Sequence, residues 1–181
     1  MKIIYLKEFI KTGKFATLEV GVSSKKDVIN LMGNDFAFAD FGDTQIIKYG
    51  CYEFFYWTED EIIFAIQNDH LQFDCSNHTE MINYENKNVK IDTWFLEEKK
   101  NITFEKIIEI IEKENINYKL ERKNYKEALE YIQLENGITI DFCNEETTWV
   151  YEKAIKEWKM KTKLIDGQKD YILNGIRFFD Y

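Results

Sequence analysis

Between Thr44 and Asn68 three segments, TQIIKY, CYEFFYW and EIIFAIQN, follow one another with almost no chain between them. Each is dense in β-branched and aromatic residues, and each break is polar or contains glycine: Gly50 first, then Glu59 and Asp60. Such residues suit a pleated, half-buried surface, and breaks this short join only antiparallel neighbours. The run therefore predicts strands over 45–49, 51–57 and 61–68 in a meander. Alternation sends Tyr52, Phe54 and Tyr56 to one side of the second strand and Phe55 and Trp57 to the other. One of these sets is core; the pattern leaves open which.

A helix stands in front of this meander. In LEVGVSSKKDVINLMGND, Leu18, Val20 and Val22 alternate as a strand does. Ser23 or Ser24 can then cap a helix by accepting an early backbone N–H, and Asp27 places a negative charge near its N-terminus. Val28, Leu31 and Met32 share one face, and Gly33 can take the left-handed conformation that stops it. The glycine spacing and the missing lysine exclude a P-loop.

The pattern recurs. Thr103 caps ITFEKIIEIIEKENINY, and isoleucines 107, 108, 110 and 111 form its apolar face. Matching Ser23 to Thr103 sets Val28 on Ile108 and Leu31 on Ile111; further on, Gly50 falls on Gly137 and Phe55 on Phe142. The expected architecture is α+β in two layers: two tandem helix-plus-antiparallel-meander units, 1–96 and 97–181, the second with strands in 128–143. The segment TTWVYEKAIKEWKM reads as strand by the repeat, but its Val150, Ala154, Trp158 spacing also suits a helix. In YILNGIRFF, Asn174-Gly175 reads as a hairpin turn. HLQF and VKIDTWFL read as strands around a polar loop.

Of the residues, 45% are hydrophobic and 16% aromatic, enough for a core and for interface anchors. The 24 basic and 33 acidic residues leave a net charge of −9, which argues against nucleic acid or an anionic membrane as partner and leaves room for a basic protein. Met1–Phe15 holds only short apolar clusters broken by charge, so no signal peptide is expected, and no stretch is long enough for a membrane span. Cys51, Cys75 and Cys143 are odd in number and far apart, which fits a reducing, cytoplasmic setting.

Chemistry-bearing clusters are thin. His70, Cys75 and His78, with Asp69 or Asp74, could ligate a metal, but the spacing lacks the paired elements of zinc sites. Nothing around the cysteines lowers a thiol pKa. No catalytic residue, metal or cofactor is expected. The run DFAFADFGD is suited to binding: Phe36, Phe38 and Phe41 as anchors, with Asp40 and Asp43 to steer a basic partner. Tyr52, Phe54, Tyr56 and Trp57 are further partner-contact candidates on the sheet.

Three motifs carry a resemblance: F-x3-G-x-F at Phe9 to Phe15, V-G-x-S-x3-D-V-x2-L-x-G at Val20 to Gly33, and K-Y-G-x-x-E-F-x-F, which stands here as Lys48 to Phe55 with Tyr56 in its last place. Together they resemble proteins of bacterial polymorphic toxin–immunity loci. The helix-plus-meander is similar to the module of the outer-membrane lipoprotein SmpA/OmlA family. Two in tandem resemble β-lactamase inhibitory proteins, which bind with a sheet face. Asn34-Asp35 stand where that pattern usually has a proline, and the lipoprotein cysteine is missing. The resemblance implies a cytoplasmic immunity protein that occludes a cognate toxin non-covalently. The alternatives are an interaction module without a toxin and a metal-dependent hydrolase using the His70–His78 region.

Overall fold

A computed structural model describes residues 1–69, 71–73, 82–123, 129–153 and 156–180, with the backbone alone at Trp149. The chain opens with β1 (Lys2–Tyr5), α1 (Leu6–Thr12) and α2 (Lys25–Met32). The meander follows as β2 (Ala37–Asp40), β3 (Thr44–Tyr49), β4 (Tyr52–Trp57) and β5 (Ile63–Asn68). Then come β6 (Val89–Asp92), α3 (Phe104–Lys113), β7 (Tyr118–Arg122), β8 (Glu130–Leu134) and β9 (Thr139–Cys143). A hairpin of β10 (Glu145–Glu152) and β11 (Glu157–Leu164) precedes a 3-10 turn at Gln168–Asp170 and the last strand, β12 (Ile172–Phe179).

The class is α+β and mostly sheet. Eight strands form one antiparallel sheet in the order β2-β3-β4-β5-β12-β9-β8-β7. This corrects the expectation of two helix-plus-meander units: strands from both sides of residue 97 share one sheet, joined where β12 pairs with β5 and β9. The repeat alignment also slips by one face. Phe142 is buried against Phe104 of α3, whereas its aligned residue Phe55 lies on the opposite side with Phe64 and Phe179. A one-residue slip in a strand always has this result.

Both expected helices form, for the reasons their sequences suggest. Ser24 is the N-cap of α2: its Oγ accepts the Asp27 N–H at 3.3 Å, and Asp27 Oδ2 accepts the Ser24 N–H at 2.8 Å, a reciprocal capping box. Gly33 takes a positive φ of 99°, but with an extended ψ rather than the left-handed helical one. Thr103 caps α3 by accepting the Lys106 N–H at 3.3 Å. Val28 and Met32 of α2 and Phe104, Ile107 and Ile111 of α3 are buried, while Leu31 and Ile108 pack at the core margin. Leu18 makes only an isolated bridge to Phe15 and Val20 to Val22 are turn, so the expected strand over Leu18, Val20 and Val22 does not form.

The three described helices all cover one face of the sheet. Phe15 packs on Tyr52 and Phe54, Tyr49 on Phe54, and the Tyr49 hydroxyl donates to the Gly33 carbonyl at 2.6 Å, tying β3 to the end of α2. The parallel pair β1–β6 adds Ile4, Val89 and Ile91 to this layer. Gly13 ends α1 with φ 75°, and its N–H reaches the Phe9 carbonyl. Lys7 and Lys11 of α1 meet Glu114 just past α3 at 2.7 and 3.5 Å. Among the described residues no helix is long and apolar enough to cross a membrane.

Two expectations about the second half are corrected. The Asn174-Gly175 pair is a bulge within the single strand β12, not a turn. A central strand must bond on both edges, and β5 and β9 leave no room for a hairpin there. Glu145–Glu152 and Glu157–Leu164 pair as antiparallel strands, so the helical reading of 147–160 fails over its described residues. HLQF is not a strand at Leu71–Phe73; its His70 lies outside the described residues.

Candidate functional site

Among the described residues the second face of the eight-stranded sheet carries no helix, and strand alternation decides what it presents. On β4 the burial pattern puts Tyr52, Phe54 and Tyr56 under the helices and leaves Glu53, Phe55 and Trp57 on the open side. Register extends the open side across the sheet. Ile46 lies opposite Phe55, and Gln67 opposite both Glu53 and Arg177. Phe179 lies opposite Ala65. At the register shift between β4 and β5, Phe64 comes up beside Trp57, their rings stacked at 4.2 Å. Phe55 approaches Phe64 at 6.1 Å and Phe179 at 6.3 Å. The result is an aromatic patch of four rings with Trp57 45% exposed.

Beside this patch runs a belt of charge. Lys48 pairs with Glu53 at 2.7 Å, and Gln67 donates to Glu53 at 2.6 Å. Arg177 lies across the centre of the sheet, bonded to Asp69 beyond β5 at 2.8 Å and to Asp141 of β9 on its other side. Asn174 donates to Asp141 at 2.6 Å and accepts from Gln72 at 2.6 Å. Gly175 makes this possible: a Cβ there would sit 2.8 Å from the guanidinium carbon. Arg177 therefore clasps strands from both halves of the chain. Next to it opens a hollow of 880 Å³, floored by Thr139, Asp141 and Arg177 and walled by Tyr131, Glu130 and Phe179.

The nine expected contact residues separate into three groups. Phe41 and Asp43 form the β2–β3 turn, which Thr58 fastens to the end of β4 by bonds to the Gly42 and Asp43 carbonyls. That places Phe41, 67% exposed, and Asp43 on the rim next to Trp57. Phe36, Phe38 and Asp40 lie on or beside the edge strand rather than in a free loop. Phe36 packs on Tyr49, Lys25 covers Phe38 and Tyr56, and Asp40 holds the turn by accepting from Gly42 and Gln45 at 2.9 Å each. Tyr52, Phe54 and Tyr56 are fully buried under the helices, which removes them from reach of a partner. Phe64, Phe179 and the Arg177 clasp are the contributors that sequence reasoning missed. The register shift beside Phe64 hides its side from simple alternation, and reading Asn174-Gly175 as a turn hid Phe179 and Arg177.

Thiol chemistry is disfavoured where it can be seen. Burial pushes the Cys51 thiol well above its ordinary pKa, the reverse of nucleophile activation. Cys143 accepts from Gln72 and donates to the Glu145 carbonyl, both at 3.3 Å. Among the described residues no group of three His, Cys, Asp or Glu side chains could hold a metal. His70, Cys75 and His78 lie outside them.

No family model, curated protein or solved structure matches this chain.

Proposed function

We propose that this chain is a cytoplasmic immunity protein that binds a cognate bacterial toxin non-covalently and occludes it with the open face of its sheet. One observation carries the reading. The face without helices holds a contiguous patch of Phe55, Trp57, Phe64 and Phe179, bordered by paired charges and an 880 Å³ hollow. Aromatic anchors ringed by polar groups are the anatomy of a protein-docking surface. The net charge of −9 favours a basic target and a steered encounter. The motifs at Phe9–Phe15, Val20–Gly33 and Lys48–Phe55 supply the link to toxin–immunity loci.

The reading is tested with the product of the adjacent gene. Co-expression should protect cells from it, and the purified pair should bind. Asp43→Lys should slow association, by about tenfold together with further rim reversals, and raised salt should do the same. Asp43 is preferred to Asp40, whose carboxylate holds the turn. Trp57→Ala should act on the off-rate and cost about 2 kcal/mol. Failure to protect cells would remove the immunity reading. Binding without protection would favour an interaction module of another kind.

A further inference from the structure

The two edges of the eight-stranded sheet are built differently. β7 ends it on one side and carries Lys119, Glu121 and Arg122, with Lys119 and Glu121 paired at 2.7 Å. Charge along an edge strand keeps other chains from pairing with it. β2 ends the sheet on the other side and reads Ala-Phe-Ala-Asp; its charged residue, Asp40, is turned to Gly42 and Gln45. The ladder fixes which of its backbone groups face outward. Phe41 donates its N–H to the Thr44 carbonyl at 2.9 Å, closing the β2–β3 turn. Bonded and non-bonded pairs alternate from there, so Ala39 opposite Ile46 and Ala37 opposite Lys48 bond to β3. The N–H and C=O groups of Phe38 and Asp40 point away from the sheet, and among the described residues no backbone group meets them.

Side chains flank this outward row in a pattern. Ala37 and Ala39 are small and lie on the open face beside Phe41, while Phe38 lies on the helix side, opposite Ile47, and is 52% exposed. Asp35, Asp40 and Asp43 are all exposed on or next to the strand. The nearby lysines are already paired, Lys25 with Glu61 at 3.5 Å and Lys48 with Glu53 at 2.7 Å. Two copies meeting along this edge would bring both sets of aspartates together in chains that each carry −9, which is repulsive. A basic partner meets complementary charge instead.

We propose that β2 is a strand-addition edge: the basic partner lays an extended segment along it and bonds its own backbone to that of Phe38 and Asp40. Main-chain bonds supply affinity in this mode, and alternate side chains supply specificity. The segment that fits has a large apolar side chain over Ala39, beside Phe41, and a basic one opposite Asp40. The edge adjoins Phe41 and Trp57, so its use rests on the toxin reading and carries that docking face past the rim onto the end of the sheet.

Amide hydrogen exchange of the full chain, alone and with the product of the adjacent gene, tests this. Alone, the Phe38 and Asp40 amides should exchange freely while those of Ala39 and Phe41 are protected. In the complex the Phe38 and Asp40 amides should slow by about tenfold or more. Phe38→Ala and Phe38→Pro then separate backbone from ring, since both lose the ring and proline alone loses the outward N–H. Proline should weaken binding about tenfold more than alanine, the scale of one bond lost in a desolvated contact. Circular dichroism and urea midpoints check that both variants fold, and the exchange measurement on the unaltered chain decides even where one does not. Binding that leaves the Phe38 and Asp40 amides exchanging freely overturns strand addition while the toxin reading stands. Absence of binding overturns both. Protection of these amides in the chain alone, rising with its concentration, overturns the proposal in favour of a second copy.

Discussion

Phe54 and Phe55 are neighbours in one strand and should behave as opposites. Phe54 is fully buried, with edge-on rings of Phe15 at 5.4 Å and Tyr49 at 6.1 Å. Truncating it to Ala removes roughly 100–150 Å² of buried apolar area, about 3 kcal/mol at 25 cal/mol per Å². A residual cavity among aromatic neighbours adds to this, so Phe54→Ala should cost about 3–5 kcal/mol. Phe55 lies half-buried on the open face, where a truncated site stays in contact with water; its loss should cost about 1 kcal/mol. Urea unfolding of both variants measures the difference, with equal m-values as the check that unfolding stays two-state. The binding assay should reverse the order, with Phe55→Ala weakening the partner and Phe54→Ala, where folded, leaving it bound. Equal stability losses, or a larger loss for Phe55→Ala, would refute the assignment of faces.

Arg177→Ala should destabilise the protein by about 2–3 kcal/mol in urea unfolding, because it removes the part-buried guanidinium that pairs with both Asp69 and Asp141. Ser24→Ala should cost about 1 kcal/mol through the lost cap of α2. Asp27, chiefly by accepting the Ser24 backbone N–H, has its carboxyl pKa lowered from 3.8. Its contribution is present above that value and is lost as pH falls through the lower folded pKa, so in Asp27→Asn the stability curve below pH ~4 should be flatter than in the parent. In a Cys75→Ser background, Cys51 should resist a thiol reagent until denaturant unfolds the chain, since burial both hides the thiol and raises its pKa; rapid labelling of folded protein at Cys51 would contradict the core placement.

Much of the local structure was legible because it is written in short-range chemistry. Ser24 with Asp27 and Thr103 with Lys106 specify helix starts through bonds spanning three residues. Gly50 and Gly137 mark the β3–β4 and β8–β9 turns by adopting positive φ of 61° and 92°. The β-branched and aromatic runs between such marks could only be strands. Period-two alternation likewise divided β4 into two faces before any fold was known. The reading erred where a local signal met a non-local demand. Asn-Gly at 174–175 is a strong turn signal, but β12 is held from both sides, and the pair instead relaxes the strand into a bulge that admits the Arg177 guanidinium.

By itself, then, the sequence determined the class, the capped helices, the strands β3 to β6, β8 and β9 and the two sides of β4, all from interactions within a few residues of each other. Tertiary structure alone decided which side is core. Tyr52, Phe54 and Tyr56 are inside because three helices and the β1–β6 pair close on that face, and nothing local to β4 encodes where those elements come to rest. It also decided that both halves share one sheet, since the joining contacts of Asp69, Asp141 and Arg177 lie 36 to 108 residues apart. The aromatic patch has the same origin: Phe55, Phe64 and Phe179 meet only because β12 returns across the chain to lie beside β5.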